Sequence, residues 1–134
     1  MKISVTLRAT GDCLIPEEIT AILGVTPHLS RYKGDVRTLS SGKEIVSKFG
    51  FWNWKSDDLS GTLTINDHIG LLHSALGHAY SSLNSLPNAE NVWIDICIVK
   101  DEAQPGDSAV EFTLNVNSMG ILHDFGLPTE FTFY

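Results

Sequence analysis

Cysteine is scarce in this chain: Cys13 and Cys97 are the only two in 134 residues, far apart and without the C-x-x-C spacing of a redox or zinc centre. A disulfide-stapled mini-protein is excluded, and both thiols are expected to be reduced and inert. Long apolar runs are lacking too. None approaches the roughly 18 residues that span a bilayer, and Met1-Lys2-Ile3-Ser4-Val5 turns polar at once, so neither a secretion leader nor a membrane anchor is expected and the domain reads as cytoplasmic. Basic residues are few, nine against sixteen acidic ones, for a net charge of -7. Such a surface repels phosphate backbones, which argues against nucleic-acid binding. Neither G-x-S-x-G, a P-loop, G-x-G-x-x-G nor H-E-x-x-H occurs.

What is present is a chain with 43% hydrophobic residues, long enough to bury a core without metal or disulfide. It reads as a single globular domain, residues 1–134. Its charge is uneven: residues 31–55 carry Arg31, Lys33, Arg37, Lys43, Lys48 and Lys55 against Asp35 and Glu44, a net of +4, whereas residues 56–134 carry a net of -10.

Strict alternation marks half-buried strands in Ile3-Ser4-Val5-Thr6-Leu7-Arg8-Ala9, in Val110 to Val116 and in Glu130 to Tyr134. In Asn91 to Val99, Ile94, Ile96 and Ile98 share one face and Trp93, Asp95, Cys97 and Val99 the other. This strand is expected to lie centrally, with the isoleucines under the helices. Pro105-Gly106-Asp107 predicts a hairpin joining it to the strand at 110–116. Pro16-Glu17-Glu18 opens a helix that Gly24 stops. Ser118 is expected to cap a second helix, Met119 to Phe125, closed by Gly126. The longest helix runs from about Asp67 to Asn84, with Ile69, Leu72, Leu76, Ala79 and Leu83 in one stripe. Tyr32 to Phe51, with Ser40-Ser41-Gly42-Lys43 as its turn, reads as a basic hairpin. The predicted class is α+β: a mixed, largely antiparallel sheet with helices on one face, in the order β-α-β-β-α-β-β-α-β. Two strand-helix-strand units, around Leu23-Gly24-Val25-Thr26-Pro27 and Phe125-Gly126-Leu127-Pro128, echo each other and predict parallel strands within each unit.

The stretches Ile3 to Asp12, Pro16-Glu17-Glu18-Ile19-Thr20, Leu23 to Pro27, Lys33-Gly34-Asp35 and Phe51-Trp52-Asn53-Trp54 together resemble the uncharacterised bacterial domain-of-unknown-function family 4279. The resemblance implies a small cytoplasmic bacterial domain. It carries no catalytic residues and no cofactor.

Little local chemistry stands out. His68, His73 and His78 follow at five-residue steps, each ring turned about 140° from the last, so they cannot converge on a metal. Asp57-Asp58 and Asp101-Glu102 read as solvated loop charge. No metal, cofactor or catalytic dyad is expected. Binding is the favoured function, and two surfaces could serve it. One is the polar sheet face, collecting Arg8, Trp93, Asp95 and Glu111, with Asp95 and Glu111 on adjacent strands facing a basic protein partner such as a toxin neutralised by an immunity protein. The other places Arg31, Lys33, Trp52 and Trp54 around a small anionic ligand. Whether Trp52 and Trp54 face the helices is left open, as is a homo-oligomer.

Overall fold

In the computed structural model, which describes residues 1–58, 61–100 and 110–134, the element order is β1 (Lys2–Gly11), α1 (Pro16–Leu23), β2 (Leu29–Arg31), β3 (Val36–Thr38), β4 (Glu44–Val46), β5 (Gly50–Lys55), α2 (Ile65–Leu76), a 3-10 segment (Gly77–Ser85), β6 (Asn91–Val99), α3 (Val116–Phe125) and β7 (Thr129–Phe133). A five-stranded sheet of order β2-β5-β1-β6-β7 carries one face of helices, and β3-β4 stands apart as a two-stranded hairpin. The α+β class holds. No helix among the described residues is long and apolar enough to cross a membrane.

Alternation explains the sheet. Val5, Leu7 and Ala9 of β1 and Ile94, Ile96 and Ile98 of β6 are buried on one face, beneath Ile19 and Leu23 of α1, Ile69, Leu72 and Leu76 of α2, and Ile121 and Phe125 of α3. The expected isoleucine register is therefore present. Each such side chain contributes roughly 1.5–3 kcal/mol through burial. The first strand-helix-strand unit runs as the echo predicted, with β2 parallel to β1 and β5 inserted antiparallel between them; the second does not, because its expected first strand at 110–116 is not formed and β7 instead runs parallel to β6.

Helix boundaries follow capping chemistry. Gly24 and Gly126 close α1 and α3 in the left-handed conformation. Thr64 and Asp67 form a reciprocal capping box on α2. Two expectations are corrected here. The long helix breaks at Gly77, whose positive φ of 53° ends α2, and the stripe continues through the tighter 3-10 segment. The cap of α3 is Asn115, whose side chain accepts from the Ser118 amide at 2.8 Å, while Ser118 itself is buried.

The strand expected at 110–116 is a further correction. Residues 110–115 are irregular, and the edge of β6 they would have paired with is occupied by β7. Their alternation has another cause: Val110, Phe112 and Leu114 lean on the core from one side of an extended segment, and Phe112 stacks on Phe131 and Phe133. Asn66 stands in for a strand partner, donating to Thr113 O at 2.7 Å and accepting from the Asn115 amide at 3.0 Å. Pro105-Gly106-Asp107 and Asp101-Glu102 lie outside the described residues. Asn66→Ala should cost about 1–2 kcal/mol, two ordinary hydrogen bonds at an exposed site. Native-state amide exchange checks the cause: Asn115 should exchange faster while the β1 and β6 amides keep their protection.

Candidate functional site

Three polar constellations stand out among the described residues. The first is on the open sheet face. By register, Lys2, Arg8, Arg31 and Lys55 share that face with Asp95 and Glu130, so it carries more cations than acids. Arg8 Nε donates to Asp95 Oδ2 at 3.0 Å, and the Asn53 amide, with its oxygen turned toward the guanidinium, accepts from Arg8 Nη1 at 3.2 Å. Trp93 is the cross-strand neighbour of Arg8 and is half-buried. Asp95, the acid proposed from sequence for a basic partner, is thus already neutralised. Glu111 lies in the irregular segment beside Met1 and Leu63 and not in a strand next to Asp95, which corrects the expected acid pair.

The second constellation was not foreseen. Ser56, at the end of β5, takes the Val5 amide on its Oγ at 2.9 Å and lies 2.7 Å from His68 Nδ1. A hydroxyl that donates to Nδ1 while accepting from Val5 would leave the ring proton on Nε2, facing the Asp58 carboxylate at 3.9 Å, the tautomer that the carboxylate favours. Burial pushes the His68 imidazole below its usual pKa, against the pull of Asp58 and Asp67. Serine, histidine and aspartate in line suggest a hydrolytic triad, but Ser56 is 2% exposed and His68 1%. No substrate reaches that hydroxyl; the group ties β1, β5 and α2 together. Asp58 departs from the solvated charge expected of it, with its side chain 8% exposed and its oxygens accepting from the Gly61 and Leu63 amides. Its neighbour Asp57 is exposed and pairs with His28 at 3.1 Å. The sequence did hold a signal, because His68 falls on the buried stripe of α2, three residues after Ile65 and four before Leu72.

The third constellation is a cleft of about 340 Å³ between the open sheet face and the hairpin. Leu29, Arg31 and Phe51 come from the sheet, Arg37, Ile45 and Val46 from the hairpin, and Lys48 and Phe49 from the returning chain. Local hydrogen bonds build it. The Tyr32 amide donates to Asp35 Oδ2 at 2.8 Å, and the Ser47 amide closes the hairpin root on Asp35 O at 2.9 Å. Gly34 turns there with φ of 89°, a conformation that costs a side-chain-bearing residue dearly. The Tyr32 hydroxyl donates to Glu17 of α1, and Lys33 pairs with Asp12 at 3.6 Å, so the root is anchored to the body of the fold. Gly42, with φ of 85°, makes the tip.

This geometry sorts the residues proposed for an anionic ligand. Arg31 is in the cleft. Lys33 is outside it, paired with Asp12. Trp52 lies on the opposite face of β5, fully buried, with Nε1 donating to Thr20 Oγ1 at 3.1 Å. Trp54 shares that helix-side face and meets the edge of the His28 ring. The side chains that do join Arg31 are Arg37, Lys48, Phe49 and Phe51.

The family described as Domain of unknown function (DUF4279) matches residues 1–134. The chain belongs to this family. No curated protein and no solved structure matches the DUF4279 chain, so its site chemistry stands on its own geometry.

Proposed function

We propose that this DUF4279 domain is a non-catalytic protein-binding module whose contact surface is the hairpin cleft. The supporting observation is the apolar surface left in water there: Val46 is 55% exposed, Phe49 49% and Leu29 41%, all beside cationic side chains. Clustered exposed apolar groups with a polar rim mark contact sites, and aromatic residues with arginine are the types enriched in interface cores. An immunity protein, which disarms a toxin by binding alone, is one instance of this class. A second reading, a small anionic ligand, draws support from the cleft's volume, at the lower end of the roughly 300–1,000 Å³ of ligand pockets.

Affinity capture from the cells that make the protein tests the first reading, using the tagged domain and its Val46→Ser/Phe49→Ser variant. The wild-type domain is expected to retain a stoichiometric protein that the variant loses at least tenfold, while both give the same amide spectrum outside the hairpin. A partner retained equally by the variant would move the contact surface elsewhere. A small anion recovered with the domain in place of any protein would favour the second reading.

A further inference from the structure

The binding reading leaves the chemistry of the partner open, and the cleft's charge addresses it. We infer that the cleft receives an extended segment of a protein partner in which carboxylates flank apolar side chains; this rests on the binding reading above. Among the described residues three cations, Arg31, Arg37 and Lys48, line the cleft, and no carboxylate does. Among the described residues none of the three has a carboxylate within ion-pair distance, although the chain holds sixteen acids against nine bases. In a chain this acidic, three cations left unpaired around one cleft present a local positive field to an anionic visitor. Arg31 uses Nη1 on its own strand, donating to Ser30 O at 2.7 Å, and this holds the planar guanidinium in place with its remaining donors available for a carboxylate.

The apolar part of the occupant follows from the same walls. Leu29, Ile45, Val46, Phe49 and Phe51 form an apolar trough that a fully charged ligand would leave wet. Val36, paired with Val46 at the root of the hairpin, is exposed as well. A second, more polar cleft of about 390 Å³ lies beyond Arg31 and Arg37, which line both; its own acids, Glu17 and Asp35, are engaged by the Tyr32 hydroxyl and amide. The two arginines therefore stand on a ridge between an apolar and a polar trough. An extended chain, whose side chains alternate in direction, could place apolar groups in the first and acids against the ridge. A basic segment would instead bring its charges against three cations, which repel it.

The probes are two labelled twelve-residue peptides, one alternating glutamate with leucine and the other lysine with leucine, and octanoate as a small amphipathic anion, each titrated into the intact 15N-labelled domain. The glutamate-leucine peptide is expected to shift amides at 29–31, 37 and 45–51, to bind at least tenfold tighter than the lysine-leucine peptide, and to weaken as salt screens the pair. Arg37→Glu/Lys48→Glu should weaken it at least tenfold, while Lys43→Glu at the hairpin tip, outside the cleft, should change it less than twofold. Equal or tighter binding of the lysine-leucine peptide, shifts confined to other surfaces, or no binding overturns the inference. Octanoate binding as tightly at the same amides would assign the cleft to a small anion and overturn it too. If capture in cells still depends on Phe49 while the peptide arms fail, only the acidic class falls; if capture also fails, the binding reading falls with it.

Discussion

Ser56→Ala should destabilise the protein by about 2–4 kcal/mol, out of proportion to the loss of one hydroxyl. Two groups lose their partner together: the Val5 amide inside the sheet and Nδ1 of a fully buried imidazole. A buried polar group left unsatisfied costs about 1–3 kcal/mol. Urea unfolding of Ser56→Ala, His68→Leu and the double variant checks this, and the two residues should couple by more than about 0.5 kcal/mol, as members of one network do. A loss below 0.5 kcal/mol in the serine variant would show that water replaces the hydroxyl. The same group predicts a pH dependence. Because burial holds the folded His68 pKa below the unfolded value of about 6.5, the unfolded chain binds the proton first as pH falls. Stability from this site is then complete above about pH 6.5 and declines as pH drops below it. His68→Leu should remove that part of the acid sensitivity, seen as a smaller difference between pH 7 and pH 5 than in the wild-type protein.

Gly11→Ala is the second substitution expected to be severe. A Cβ at Gly11 would lie 2.2 Å from the carbonyl oxygen of Asn88, and that backbone is held by the Glu90 amide donating to Thr10 O at 2.8 Å. Opposite it, a Cβ on Gly50 would meet Gly11 O at 2.8 Å, so this corner of the sheet is closed from both sides. Relief requires the loop at 86–90 to move off the sheet, and a loss of about 2–4 kcal/mol is expected, in the range of overpacked cores. Gly70→Ala provides the contrast. It lies inside α2 with no neighbour within 4 Å of the added methyl, and it should stabilise by about 0.5–1 kcal/mol through helix propensity. Thermal unfolding that shifted both variants in the same direction would contradict the steric argument.

Much of this fold was legible because its determinants are local. The alternation of β1 and β6, the Pro16 start and Gly24 stop of α1, and the Gly126 stop of α3 each reside in a few consecutive residues. Residues 110–116 misled for a physical reason: alternation reports one-sided burial, and an extended segment resting on the core shows it as clearly as a paired strand does. What supplies its hydrogen bonds is Asn66, more than forty residues away. The candidate site was legible in charge but not in membership. The basic stretch was evident, yet parity along β5 sends Trp52 inward and Phe51 outward, so the aromatic partners of Arg31 are the phenylalanines. Asp95 read as a free acid because Arg8 meets it only across the sheet, 87 residues away.

The central strand pair also dictates the order in which the chain can assemble. β1 meets β5 through Gly11 and Gly50, but its other edge meets β6, where Lys2 and Val99 are 97 residues apart and Thr10 and Asn91 are 81 apart. At synthesis rates of roughly 5–20 residues per second, β6 leaves the ribosome some 4–20 s after β1. For that interval the emerging chain can pair β1, β5 and β2, with α1, α2 and the hairpin, while the other edge of β1 is open to any strand that arrives first. Pairing at such long sequence separation also makes for slow folding. The nascent chain therefore carries a sticky half-sheet, and the last third of the chain acts as its cover.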